Sequence, residues 1–166
     1  MNLELQLQQK YQAQNHRLVI EDIFKDISLF DRLVDYVFDQ NPRVIQNASA
    51  ILSKCIEKRP ILAKPYLEIL IAKISEIDCP VATKRNILRF LQFMDLEEHF
   101  LGHLCKLCIN FIQSSKESVA VKAFSLEILN KIAKIYPEIS EEVKQILQDN
   151  FSYQTPAIKH KAKKFL

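Results

Sequence analysis

The chain has 166 residues, of which 48% are hydrophobic and 26% are charged, so it is long and apolar enough to bury a core and is not disordered. Its single glycine, Gly102, excludes dinucleotide fingerprints and P-loops and disfavours strand-rich folds, because these need glycines in loops and turns. The net charge of +3 is too small to indicate nucleic-acid binding by itself.

The N-terminal stretch MNLELQLQQKYQAQ has neither the apolar segment nor the cleavage site of a signal peptide. No uncharged run approaches the ~20 residues that a membrane span needs, and the four cysteines are expected to be reduced. We therefore expect a cytoplasmic protein that is not associated with membranes. Residues 1–27 are predicted to form an N-terminal helical cap.

Helical periodicity dominates the rest of the chain, and proline marks where helices begin. Pro42, Pro80 and Pro156 each follow a polar turn and are predicted at the first helical position, while Val119 takes the equivalent place once. These positions are about 38 residues apart, which is typical of helix-pair repeats. An amphipathic helix precedes each of them, so we predict one helical-repeat domain over 1–166 with helix pairs at about 28–60, 61–94, 95–136 and 137–166.

The stretch NPRVIQNASAIL, with Pro42, Val44, Ala48 and Leu52, resembles the second-helix consensus of HEAT and armadillo repeats. The consensus recurs at Pro156, Ile158, Ala162 and Leu166 in the last repeat, and in part at Val121, Lys122 and Leu129 in the third. The resemblance implies an all-α fold, an α-α superhelix of about four helix pairs whose second helices line a concave surface. The aspartate ladder usual in HEAT repeats is replaced here by Asn41, Cys79, Ser118 and Thr155.

The chain also resembles a group of short bacterial HEAT-like proteins, through residues 14–24, 118–124, 137–151 and the terminal AIKHKAKKFL. Members of that group are sometimes labelled adenylosuccinate lyase. The lyase superfamily carries a mobile loop of the form SSxMPxKxNP. Here Ser114 and Ser115 are followed by KES, so the sequence gives that label no support.

A candidate binding surface lies on the predicted helix 81–94. Arg85, Arg89 and Phe93 are spaced at i, i+4 and i+8 opposite the apolar face, with Gln92 beside them. Arginine and aromatic side chains are enriched in binding interfaces, so these four residues are predicted to contact a partner. The alternative is that Phe93 packs against the next repeat.

A basic cluster at the C-terminus contains Lys159, Lys161, Lys163 and Lys164. Such a cluster can contact phosphates. The alternative is a charged terminal helix that keeps the end of the repeat array soluble.

The segment EEHFLGHLCKLC contains two histidines and two cysteines, yet it does not predict a zinc site. On a helix, Cys105 and Cys108 fall about 240° and 180° from His99, whereas His103 falls about 40° from it. One helix cannot bring these side chains around a tetrahedral ion. We predict buried cysteines, exposed histidines, and no metal, cofactor or catalytic residues.

Three hypotheses of function follow from these observations. The first is a non-catalytic interaction module, a monomer or weak oligomer that binds a protein partner on its concave face. The second is a nucleic-acid-binding protein that uses the basic residues of the concave face and the C-terminus. An enzyme of unrecognised type is third, because no catalytic motif joins the histidines to a nucleophile.

Overall fold

A computed structural model describes residues 1–150 and 154–166, and all regular structure in this part of the chain is helical. The predicted all-α fold class is confirmed. Short 3₁₀ segments lie at Tyr36–Phe38 and Pro60–Tyr66. The α-helices of the described residues are α1 Leu3–Gln8, α2 Ala13–Lys25, α3 Ser28–Asp35, α4 Pro42–Lys58, α5 Leu67–Ser75, α6 Val81–Leu91, α7 Glu98–Gln113, α8 Val119–Ala133, α9 Glu138–Asn150 and α10 Pro156–Ala162.

The helices form two compact units, unit 1 at Met1–Phe90 and unit 2 at Leu91–Leu166. In unit 1, α4 packs against α1, α2 and α3. In unit 2, α8 packs against α7, α9 and α10. Each unit is therefore organised around the second helix of a pair.

Capping explains where the second helices begin. Asn41, Ser118 and Thr155 precede α4, α8 and α10, and each side chain accepts a hydrogen bond from a backbone N–H of the first helical turn. Pro42 and Pro156 take the first helical position, as predicted. The prediction for Pro80 is wrong by one residue. Pro80 takes the capping position before α6, which begins at Val81, because its carbonyl, rather than that of Cys79, accepts the first helical hydrogen bond from the Lys84 amide.

The consensus positions of the second helices face the core. They are buried at Val44, Ala48, Leu52, Val121, Leu129, Ile158 and Ala162. Leu166 differs from its counterpart Leu52 because it is 48% exposed. The reason is that α10 ends at Ala162, so Leu166 does not continue the helix face.

Candidate functional site

The predicted helix 81–94 is shorter than expected. It ends at Leu91, so Gln92 and Phe93 lie in the turn that follows and not on the helix face of Arg85 and Arg89. The ammonium group of Lys131 holds this turn, because it donates to the carbonyls of Gln92, at 3.0 Å, and Met94, at 2.6 Å. Phe93 itself is 54% exposed.

Arg85 and Arg89 remain together on α6, in unit 1. Arg85 is exposed, whereas Arg89 is half-buried and pairs with Glu57 on α4. Its Nε lies 2.6 Å from Glu57 Oε1, and its second guanidinium nitrogen donates to Oε2 at 3.3 Å. This two-point contact fixes the plane of the guanidinium and joins two consecutive second helices.

The same part of unit 1 contains a cleft of about 280 Å³ between α4, α6 and the segment before α2. Three cationic side chains line it, Lys54, Arg85 and Arg89, together with the exposed ring of Tyr11. This lining combines positive charge with a tyrosine, which is the composition that protein interfaces favour. We refer to it as the unit 1 cleft.

Buried amides form the floor of the unit 1 cleft. Asn47 donates through Nδ2 to the carbonyls of Leu7 and Gln9, at 2.8 and 3.0 Å. These carbonyls lie at the C-terminal end of α1, where a helix leaves acceptors without partners inside it. The second amide, Asn86, donates to Ser49 Oγ at 3.0 Å and joins α6 to α4.

The Asn47 contacts also fix the tautomer of His16. Because the Asn47 amide nitrogen is used by two carbonyls, its oxygen faces His16 Nε2, 3.2 Å away. The imidazole must then carry its proton on Nε2 and donate. The other ring nitrogen, Nδ1, has no hydrogen-bond partner among the described residues.

Burial and charge keep the His16 ring neutral. The side chain is only 4% exposed, and this desolvation lowers its pKa from 6.5, with Lys54 adding to the effect by charge repulsion. The hydrogen bond to Asn47 acts in the opposite direction but is smaller. A neutral His16 leaves the positive charge of the unit 1 cleft to Lys54, Arg85 and Arg89.

The C-terminal basic cluster is partly used inside unit 2. Lys161 and Lys164 both donate to Glu127 on α8, the latter at 2.7 Å. Burial alone would raise the pKa of Glu127, but the bonds from the two lysines outweigh this and lower it. Half of the predicted cluster therefore attaches α10 to α8, while Lys163 is exposed.

The cysteines and histidines of α7 lie as the helical spacing predicts. Cys105 and Cys108 are buried, and His99 and His103 are exposed. Desolvation raises the pKa of Cys108 to about 12, so this thiol is not a nucleophile at neutral pH. No group of three or more metal-ligating side chains is assembled within residues 1–150 and 154–166.

Three functional residues of the unit 1 cleft escaped the sequence analysis: Tyr11, Asn47 and Lys54. Asn47 gave a usable signal, since it stands within the apolar face of α4, between the buried Val44 and Ala48. A polar side chain at such a position needs partners. Tyr11 and Lys54 gave none, because their proximity depends on how α1 and α2 pack on α4.

No helix in the part of the chain that the structure describes is long and apolar enough to cross a membrane. The family model that describes the HEAT repeat domain matches residues 3–166. Neither a curated protein nor a solved structure matches the chain.

Proposed function

The chain belongs to the HEAT repeat domain family, and from this premise we propose that it is a non-catalytic module that binds a protein partner through the unit 1 cleft. HEAT repeats commonly mediate protein–protein interaction. The cleft is formed by the second helices α4 and α6, the elements that line the concave face in helix-pair solenoids. The partner segment we propose is acidic, with at least one apolar side chain.

The observation that carries this proposal is the lining of the unit 1 cleft. Lys54, Arg85 and Arg89 supply positive charge beside the exposed ring of Tyr11, and Glu57 pairs with Arg89. Arg89 is already oriented by Glu57, so binding costs little side-chain entropy there. Arg85 is exposed and extends the cationic surface.

The experiment begins with affinity capture of the native protein and identification of what co-purifies. The affinity of the captured partner is then measured for Arg85→Ala and Tyr11→Ala by calorimetry. Each should weaken binding by about 1–3 kcal/mol, the usual range for an interface anchor. The matched control is Arg43→Ala, which removes an exposed arginine of α4 that does not line the cleft. Equal losses for Arg43→Ala and Arg85→Ala would contradict a specific cleft.

Nucleic acid is the second candidate, since the same three cations could contact phosphates. The dependence of binding affinity on salt concentration distinguishes a nucleic acid from a protein partner. A nucleic acid would give a steep linear fall of log affinity with log salt, and Arg85→Ala would make that slope shallower by about one unit. A protein partner held largely by Tyr11 would show a weak slope and a large penalty for Tyr11→Ala.

Phe93 is proposed as a partner contact because it is 54% exposed, and Gln92 is proposed with it because it is the adjacent, half-buried residue of the same turn. Phe93→Ala should weaken the captured partner and leave the thermal midpoint unchanged. In the C-terminal basic cluster, Lys163 is exposed and is the residue to test for phosphate contact, whereas Lys161 and Lys164 bind Glu127.

A further inference from the structure

Unit 2 contains an open groove of about 770 Å³ along α7, with α9 and the end of α8 opposite. Its floor is apolar, since Leu101, Cys105 and Ile132 are buried there. Ile109 and Ile139 are half-buried and flank the floor. None of these residues belongs to unit 1, so the inference below does not depend on the function proposed above.

The only glycine of the chain, Gly102, lies in this groove, in the middle of α7. Glycine inside a helix costs roughly 0.5–1 kcal/mol relative to alanine. A Cβ atom built at this position meets nothing within 4 Å, and the backbone does not have a positive φ. The fold therefore has room for a side chain at Gly102, and any side chain there would project into the groove.

The rim of the groove is acidic. Glu98, Glu138 and Glu142 line it against a single cation, Lys106. The Tyr136 hydroxyl donates to Glu98 Oε1 at 2.9 Å and so fixes one of these carboxylates. An apolar floor with an acidic rim complements an apolar surface flanked by lysine or arginine.

We propose that this groove binds one amphipathic helix of a partner protein, whose apolar face enters the groove and whose basic flanks meet the three rim carboxylates. A helix of about 12 residues is about 18 Å long, which matches the length of α7 from Glu98 to Asn110. Helix-in-groove recognition uses apolar anchors at i, i+3, i+4 and i+7, which would contact the apolar floor. The absence of a side chain at Gly102 leaves space for one such anchor.

The probe is a synthetic fluorescein-labelled helix of about 14 residues, with leucine at those anchor positions and lysine elsewhere. A matched peptide carries glutamate in place of lysine. By fluorescence anisotropy with the full chain, the lysine peptide should bind at least roughly tenfold more tightly than the glutamate peptide, and its advantage should shrink as salt is added. Equal binding of the two peptides would overturn the proposal.

Two substitutions at Gly102 test the location. Gly102→Leu should fill the groove and weaken the lysine peptide by roughly tenfold or more, while it leaves the helix intact because leucine favours helices. The matched control, Gly102→Ala, adds only a Cβ and should bind within about twofold of the parent. A Gly102→Leu variant that folds and binds as tightly as the parent would refute the groove as the site.

A measurement on the unsubstituted chain tests the groove even if a Gly102 variant fails to fold. The methyl resonances of isotope-labelled isoleucines should shift on peptide addition at Ile109, Ile132 and Ile139, which line the groove, and not at Ile51, which is buried in the core of unit 1. Shifts confined to other isoleucines would overturn the proposal. So would a self-associated chain that Gly102→Leu converts to a monomer, because the occupant would then be a second copy.

Discussion

Units 1 and 2 are each organised around one second helix, but the two differ in what they bury. Unit 1 buries several polar side chains around α4, namely His16, Asn47, Ser49, Ser53, Thr83, Lys84 and Asn86. In the described part of unit 2, Ser125 is the only residue of this kind. The same helix-pair pattern thus accommodates an apolar core that contains hydrogen-bonded polar side chains, as in unit 1, or a core that is almost entirely apolar, as in the described part of unit 2.

The difference has a consequence for how each unit resists substitution. Hydrogen-bonded buried groups are costly to break, since a lost partner leaves a desolvated donor or acceptor. An apolar interior loses stability mainly in proportion to the volume removed. The stability of unit 1 should therefore depend on individual polar residues. The stability of unit 2 should depend on such residues only where α10 is attached to α8.

The largest effect is expected for Asn47→Ala in unit 1. The substitution removes the donor to the Leu7 and Gln9 carbonyls and the acceptor for His16, and it should lower the free energy of unfolding by about 2–4 kcal/mol. Urea denaturation followed by circular dichroism measures this. The comparison is Ser125→Ala in unit 2, which removes a bond to the Val121 carbonyl of its own helix and a weaker one to the Cys108 thiol, and should cost under about 1.5 kcal/mol. Similar costs for the two variants would remove the distinction between the units.

The second prediction compares the ion pairs that join consecutive second helices. Glu127→Gln should lower the free energy of unfolding by about 1–2 kcal/mol, because Glu127 is only 14% exposed through its side chain and serves two lysines. Glu57→Gln should cost less, under about 1 kcal/mol, since the Glu57 side chain is 24% exposed and its pair with Arg89 is more strongly screened by solvent. Thermal denaturation at pH 7 tests the order, and a larger loss for Glu57→Gln would reverse it.

The third prediction is that the stability of the folded chain depends on pH through His16 in unit 1. The folded chain holds the pKa of His16 below the unfolded value of 6.5, so the unfolded state binds the proton more readily. The contribution of His16 to stability is therefore complete above pH 6.5 and is lost as the pH falls below it, by at most about 1.4 kcal/mol per pH unit. His16→Gln keeps an N–H donor for Asn47 without a titrating group, so its stability between pH 5 and pH 7.5 should vary less than that of the parent. An unchanged pH profile in that variant would show that His16 is not the origin.

The smallest effect is expected at Gly102 in unit 2. Gly102→Ala should raise the free energy of unfolding by about 0.5–1 kcal/mol, because alanine favours the helix and the added Cβ has room. Differential scanning calorimetry should show a higher midpoint. A lower midpoint would mean that the groove wall is closer to Gly102 than the structure places it.

Features encoded by neighbouring residues could be predicted from the sequence. The apolar period placed the cores of α4 and α8, and Pro42, Val119 and Pro156 marked the first residues of α4, α8 and α10, because a helix start depends mainly on adjacent residues. The helix-pair boundaries stay predictions.

Features that depend on distant residues could not be predicted. The apolar period of α6 continues to Met94, beyond the end of the helix at Leu91, and the turn found there is bound by Lys131, 37 residues after Met94. The contacts of Lys161 and Lys164 with Glu127 likewise span 34 and 37 residues. Sequence spacing predicted the lysine cluster but could not show that Lys161 and Lys164 bind Glu127.

The attachment of α10 has a chemical consequence. A helix of seven residues is too short to persist alone in water, so α10 depends on its contacts with α8, of which Ile158 and Ala162 supply the apolar part. Both polar contacts end on the single carboxylate of Glu127. Acetylation of Lys161 or Lys164 would remove one of the two positive charges, and acetylation of both would leave Glu127 without an ionic partner on α10. Loss of these charges would weaken the attachment of α10 to α8, which would then rest on the apolar contacts of Ile158 and Ala162.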